Sequence, residues 1–479
     1  MTETEPSVAA LQAIVRDPQE QQLAAAYAPV LLFDAHEPFL PLAVGYTVFK
    51  HDADSPSFPR RIQLAPDGRP VAAFAIEYAI WWDWDISHLY ELEHVWVFVD
   101  ARGNVVRGEA SWHGTYHSME VDGKLPLEGT HLRLLSQPGK HALAPSADWF
   151  VRLKRHTEIE GQRTLGAGGV WVTPLFRNVI RSKSPQADLL VRTYLEKQPF
   201  VPSWKFSQRM PITSEMLVPW PALQSWIPKR VSWWLEELDH AIPPDRRRFL
   251  RIAHRGASAY APENTLAAFQ KALELGADMV EMDVRLSADG VPVVIHDGRL
   301  EHTTNGKGWV GDYTLGELKR LRVAGDQEIP ALEEVIEFCR EEELGMYIEL
   351  KEPGTVAPVA DLIRRYDVVH GTIVGSFQID SVAAVKEVAP EILASVLFTQ
   401  RNVDPVKLAQ AIGAEYVHPC WERATPTPET YLTEQWVKRV RNAKLGLICW
   451  HEERPDVIAA LRQRGVDGIC SNQPDLLLM

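Results

Sequence analysis

The residues best suited to chemistry cluster in the second half of the chain: His254-Arg255-Gly256, Glu281-Met282-Asp283-Val284-Arg285, His296-Asp297 and Glu349-Leu350-Lys351. A strand over Met279–Leu286 puts Glu281, Asp283 and Arg285 on one face and Val280, Met282 and Val284 on the other, because side chains alternate with a period of two. Two carboxylates side by side repel unless a cation lies between them or one keeps its proton. The turn signal Ser287-Ala288-Asp289-Gly290 returns the chain through Pro292–His296. That hairpin predicts His296 opposite Glu281 or opposite Asp283, with Cβ atoms ~5 Å apart. Tyr347–Lys351 repeats the alternation, with Glu349 and Lys351 on one face. Three hard oxygen ligands suit Mg²⁺ or Ca²⁺ and not a soft metal. Arg255 offers a phosphate a bidentate fork and Lys351 a point charge. His254 and His296 can act as general acid and base near neutral pH, each worth ~10²–10⁴-fold. Metal-assisted phosphodiester cleavage is the reaction class that uses all of these groups.

Each motif closes a predicted strand. Short apolar runs at Arg251–His254, Met279–Leu286, Met346–Leu350, Thr372–Phe377, Ile392–Phe398, Tyr416–Pro419, Leu445–Trp450 and Gly468–Ser471 alternate with amphipathic stretches such as Thr265–Leu275 and Pro455–Arg464. That alternation predicts an α/β fold, a C-terminal (β/α)8 barrel over 249–479, whose catalytic rim lies where the loops after the strands gather. The basic Pro-Pro segment Asp239–Arg248 cannot continue a helix and reads as a linker. It closes a first domain, 1–244, where Val71–Trp82, His94–Asp100 and Asn104–His113 look like strands and predict a mostly-β, sandwich-like fold. Twelve of the 16 tryptophans precede residue 249, so the halves have different cores. Pro221–His240 has an apolar helical face interrupted at Pro228, expected to pack against the barrel.

The 479 residues carry 50 Lys plus Arg against 64 Asp plus Glu, a net charge of −14. That balance opposes nucleic-acid binding and attraction to an anionic membrane. Its field fades over ~8 Å at physiological salt, so cations inside the pocket must hold an anionic substrate. No run approaches the ~18 apolar residues of a membrane span, and the acidic start Met1–Val15 is not a secretory signal. No two of the four cysteines stand at zinc-ligand spacing, and free thiols in a cytoplasmic protein are the expectation.

Taken in order, His254-Arg255-Gly256 with Pro262-Glu263-Asn264-Thr265, Glu281-x-Asp283, His296-Asp297 with Thr303-Thr304-Asn305-Gly306, Ile329-Pro330-x-Leu332-Glu333, Glu349-x-Lys351 and Gly465-Val466-Asp467-Gly468-Ile469 resemble the glycerophosphodiester phosphodiesterase family over residues 249–479. The resemblance implies a TIM barrel that hydrolyses glycerophosphodiesters to glycerol phosphate and an alcohol. It implies metal ligands Glu281, Asp283 and Glu349, acid–base residues His254 and His296, and phosphate-holding residues Arg255 and Lys351. Glu263 is expected to act from behind that set, or simply as an acid at its helix start, and Trp450 to line the substrate pocket. In that family the substrate's own glycerol hydroxyl attacks phosphorus, and water opens the cyclic phosphate. The chain departs from the family in a short tract at Arg322–Glu328, in Trp450-His451-Glu452-Glu453 where Trp-Thr-Val-Asn is common, and in Ser471-Asn472-Gln473-Pro474 where Thr-Asp-x-Pro is usual. A smaller cap would also suit a lysophospholipase D-type enzyme acting on lysophospholipids. An inactive binding module would lack a catalytic group, and none is missing. Over residues 25–150, His88-x-x-Glu91-x-Glu93 with Ser111-Trp112-His113-Gly114 resembles the β-sandwich of necrosis-inducing toxins. That resemblance implies a metal site from His88, Glu91 and Glu93, with His113 and His141 nearby.

Overall fold

A computed structural model describes residues 5–14, 17–177, 179–180, 182–243 and 246–478. Its chain divides into two compact units, one running to Lys183 and continuing as Leu190–Ile242, the other comprising Ser184–Leu189 and Pro243 onward. Pro244 and Asp245 of the expected linker, and residues 1–4 and Val15 of the acidic start, lie outside the described residues.

The first unit is mostly sheet. Strands β1 (Val30–Asp34), β2 (Ala43–Phe49), β3 (Phe74–Trp84), β4 (His88–Val99), β5 (Val105–Trp112), β6 (Thr115–Ser118), β7 (His131–Ser136), β8 (Phe206–Pro211) and β9 (Leu217–Pro219) form two sheets. One runs β9-β2-β3-β4-β5-β6 and the other centres on β7-β1-β8. Leu31 and Phe33 of β1 and Leu132 of β7 share a core with Ile76, Tyr78 and Val97 from the other sheet, so the two faces pack as layers. Helix α1 (Trp220–Ala241) runs unbroken through Pro228, contrary to expectation. Its apolar face lies on β2 of its own unit, where Gly45 leaves room for Trp220 and Leu223. The linker is correspondingly shorter than its sequence suggests, since Asp239–Ala241 still belong to the helix.

The second unit is the predicted barrel. Parallel strands β10 (Leu250–Ala253), β11 (Met279–Leu286), β13 (Gly345–Leu350), β14 (Thr372–Ser376), β15 (Leu393–Phe398), β16 (Tyr416–Pro419), β17 (Gly446–Cys449) and β18 (Gly468–Ser471) close when β10 pairs with both β18 and β11. The short β12 (Pro292–Val294) adds antiparallel to the outside of β11. Outward side chains Val280, Met282 and Val284 pack under the helices, and inward Ile252, Tyr347 and Ile448 fill the barrel. Helix starts follow local rules. Thr265 caps α2 (Leu266–Glu274) by accepting from Ala268 N–H, and Asp404 caps α3 (Pro405–Ile412), which has Pro at its start and left-handed Gly413 at its end. The short tract after the hairpin folds over a small apolar cluster of its own, with Leu300, Val310 and Leu318 at its centre. All four cysteines are buried free thiols.

Candidate active site

Strand register assembles the acids. Asp283 of β11 stands beside Glu349 of β13, and Glu281 beside Tyr347. Glu281, Asp283 and Glu349 all point inward, are essentially fully buried, and each offers an oxygen within 4.8 Å of the others. Glu281 Oε2 accepts from the backbone N–H of Arg255 at 2.8 Å. Asn264 clamps Asp283 from both sides: its Nδ2 donates to Oδ2 at 2.8 Å, and its Oδ1 accepts from the Asp283 N–H at 3.2 Å. Arg255 and Asn264 both adopt left-handed backbone, φ 56° and 57°, a conformation held here by the contacts with these acids.

The cations lie on the acids. Lys351 Nζ is 2.8 Å from Asp283 Oδ1 and also bonds Glu349, while Arg255 reaches Asp283 at 3.2 Å and Glu263 at 2.9 Å. Of the oxygens of these three acids, Glu281 Oε1 and Glu349 Oε2 are buried with neither a hydrogen-bond nor an ion-pair partner, whereas Asp283 Oδ1 has the Lys351 ammonium. Burial, then Asp283 and Glu349, push the Glu281 carboxyl well above the ordinary carboxylate range. Burial and Asp283 raise Glu349 to about 7. Burial would raise Asp283 too, but Lys351, Arg255 and His296 outweigh it and hold the group below the usual range. A hard divalent cation fits this set: it would satisfy both orphaned oxygens and remove the reason two of the three acids keep protons.

The two predicted histidines flank the acids. His254 follows β10, its Nδ1 2.7 Å from Asn472 Oδ1 and its Nε2 3.9 Å from Glu281 Oε2. Burial, then Arg255 and His451, push its pKa well below normal. His296 interacts electrostatically with Asp283, and its Nδ1 lies 2.8 Å from Asp297 Oδ1, whose second oxygen meets His302 at 2.8 Å. Burial lowers the His296 pKa despite Asp283. The register corrects one expectation. The ladder runs from Leu286–Pro292 to Val284–Val294 and stops, so His296 is the cross-strand partner of neither carboxylate. Ser287 closes the turn through both its N–H and its hydroxyl on Val291, making the loop one residue longer than a four-residue turn. Trp450 meets the His254 ring edge-on, centroids 4.7 Å apart, whereas Trp421 is buried in the wall. Sequence reasoning missed Asn264, Asp297, His451 and Asn472 as parts of the site. An Asn opening a helix and an Asp following a rim histidine were the available signals.

In the first unit, Asp85, which the sequence did not single out, joins His88 and Glu91, each offering an atom within 4.8 Å of the others. Glu93 instead bonds the Ser111 hydroxyl, and His113 Nε2 meets Gln137 Oε1 at 2.9 Å. Lys140 Nζ sits 3.0 Å from Asp85 Oδ2. Burial, then Glu93 and Asp85, push Glu91 well above the ordinary range. His141 stacks on Trp82 with centroids 4.6 Å apart and lies 3.4 Å from Glu37.

Comparison with known proteins bears on the second unit. The model of the Glycerophosphoryl diester phosphodiesterase family matches residues 254–476. The glycerophosphodiester phosphodiesterase of Caldanaerobacter subterraneus subsp. tengcongensis is 35% identical over 242 residues, 48% of this chain and 96% of that protein. That of Bacillus altitudinis is 36% identical over 243 residues, 47% of this chain and 94% of its own length. A solved phosphodiesterase of Oleispira antarctica, in complex with the product sn-glycerol-3-phosphate, is 27% identical with a TM-score of 0.43, covering 47% of this chain and 94% of that one. An alignment at this identity that spans nearly the whole of two such relatives leaves one conclusion: the chain belongs to the glycerophosphoryl diester phosphodiesterase family.

Proposed function

We propose that this chain, a phosphoric diester hydrolase by its family, cleaves glycerophosphodiesters to glycerol phosphate and an alcohol, using a divalent cation held by Glu281, Asp283 and Glu349. The observation that carries the reading is the pair of buried, unpartnered oxygens, Glu281 Oε1 and Glu349 Oε2, beside two rim imidazoles. Mg²⁺ or Ca²⁺ would supply a Lewis acid for a phosphoryl oxygen and for the attacking hydroxyl. His254 gives its Nδ1–H to Asn472, so its neutral ring keeps a free Nε2 to take the proton of that hydroxyl. His296 is backed by the Asp297 carboxylate, which stabilises its imidazolium and makes it the donor to the departing alcohol. Arg255 and Lys351, the cations that lie on these acids, would hold the phosphate oxygens. If the attacking hydroxyl is the substrate's own glycerol hydroxyl, water opens the resulting cyclic phosphate with the two proton transfers reversed. His296→Ala and Glu281→Gln should each lower kcat by at least ~10²-fold in protein that stays folded by circular dichroism. Full turnover of a glycerophosphodiester by either folded variant overturns the reading.

The Asp85, His88 and Glu91 cluster supports a second cation site by the same logic, with Lys140 standing against it as Lys351 stands against the barrel acids. Metal analysis after dialysis against Mg²⁺ or Ca²⁺ should find two ions per chain, and one in His88→Ala.

A further inference from the structure

The rim holds a third imidazole that the reaction above does not use. His451 follows Trp450 after β17 and lies face to face with His254, ring centroids 4.8 Å apart and planes 12° off parallel. Its Nδ1 is 3.0 Å and 3.1 Å from the two carboxylate oxygens of Glu453 and 3.4 Å from Asn472 Nδ2. The shorter contacts assign the proton on Nδ1 to Glu453. Glu453 Oε1 also accepts the Asn472 backbone N–H at 2.8 Å, and burial does not stop His451 and Asn472 from holding this acid below its ordinary pKa. Asn472 in turn has its Oδ1 on His254 Nδ1, with the Ser258 hydroxyl donating to the same oxygen at 2.8 Å. Three segments far apart in sequence thus meet on one ring. His254 has Asn472 at Nδ1, His451 across one face and Trp450 at its edge, and only Nε2 looks toward the acids.

A ring held on three sides cannot rotate or swap its nitrogens, and the tautomer of a histidine is set by what its other nitrogen bonds. An amide partner alone is a weak guide, because Asn472 could rotate and offer its NH₂ instead. Two further contacts hold the group in place: the Ser258 hydroxyl lies 2.8 Å from Oδ1, and Glu453 accepts the Asn472 backbone N–H as well as the His451 Nδ1–H, so one carboxylate ties both the stacked ring and the residue that meets His254 Nδ1. We infer that His451 and Glu453 are positioning residues that lock Asn472 and hold His254 with its proton on Nδ1 and its Nε2 free to act. The inference rests on the role proposed for His254.

Two measurements separate this inference from the reaction it serves. The first is kinetic. His451→Ala should lower kcat about 10- to 100-fold with KM within about twofold, the usual cost of removing a group that orients a catalytic one. Free imidazole should restore part of the loss, and Glu453→Gln, which keeps an acceptor for both partners, should retain far more activity than Glu453→Ala. The second needs no turnover. ¹⁵N shifts of His254 in histidine-labelled protein should report one tautomer, protonated on Nδ1, in the wild type and a mixture in His451→Ala and Asn472→Ala. Wild-type kcat in folded His451→Ala, a rise in KM alone, or an unchanged His254 tautomer in His451→Ala would each overturn the inference. An inactive wild type with the single tautomer would instead refute the proposed reaction and leave the positioning intact.

Discussion

At the residue scale, the charges at the barrel rim make proton and metal compete for the same oxygens. Glu349 is raised to about 7, by burial first and Asp283 next, and Glu281 is held well above the ordinary carboxylate range by burial and its two acidic neighbours. A carboxyl whose folded pKa exceeds its unfolded one adds stability below the unfolded value, and loses it as pH rises through the folded one. Metal-free protein should therefore melt at lower temperature at pH 8 than at pH 5. A bound divalent ion keeps both groups deprotonated without repulsion, so the gap between loaded and metal-free melting temperatures should widen with pH. Calorimetry near pH 6 in buffers of different ionisation enthalpy should show protons released on binding; none released would mean that neither acid holds a proton before the ion arrives. Glu281 and Asp283 were legible because a period-two strand displays them two residues apart, and Glu349 because the same spacing sets it beside Lys351. Asn472 was not, because it meets His254 across 218 positions of sequence. His451 stood out only as a departure from a family pattern, and its meaning needed the ring it stacks on.

At the element scale, the site depends on how closely strands approach. Gly446 of β17 pairs with Tyr416 of β16, and a Cβ there would lie 2.3 Å and 2.4 Å from the Tyr416 ring. That ring is buried in the barrel and cannot move aside. Gly446→Ala should cost about 1–3 kcal/mol, as overpacking of a tight core does, and lower activity by displacing the strand that carries Trp450 and His451. An alanine variant with wild-type melting temperature would show that the barrel yields at this point. The barrel strands and helices were readable because each runs to its natural length with a local stop: a capping Thr or Asp, a leading Pro, a trailing Gly. Two features were not. The β11–β12 register depends on a single residue of turn length, which the dipeptide signal does not fix. Helix α1 crosses Pro228 although an interior proline costs about 3 kcal/mol. Leu223, Ile227, Val231 and Leu235 are buried at intervals of four on the same face, and at about 1.5–3 kcal/mol for each fully buried aliphatic side chain they offset it.

At the scale of the whole molecule, tryptophan content and fold divide at the same place, and this gives each unit its own reporter. Twelve of 16 tryptophans lie before residue 249, so fluorescence chiefly follows the sheet unit, whereas the helical far-ultraviolet signal chiefly follows the barrel, with α1 the main exception. The net charge of −14 favours cation uptake at both acidic clusters, within the ~8 Å that salt allows. An ion at 100 times its Kd stabilises the state that binds it by about 2.7 kcal/mol. For units of this size that is a rise of roughly 5–10 °C in the transition concerned, at about 2–4 °C per kcal/mol. Saturating Mg²⁺ or Ca²⁺ should then raise both transitions in the wild type. Glu281→Gln should abolish the shift in the helical signal and keep that in fluorescence, and His88→Ala the reverse. A fluorescence transition unmoved by either ion in the wild type would show that Lys140 alone balances Asp85, leaving the barrel as the one place where a divalent cation binds.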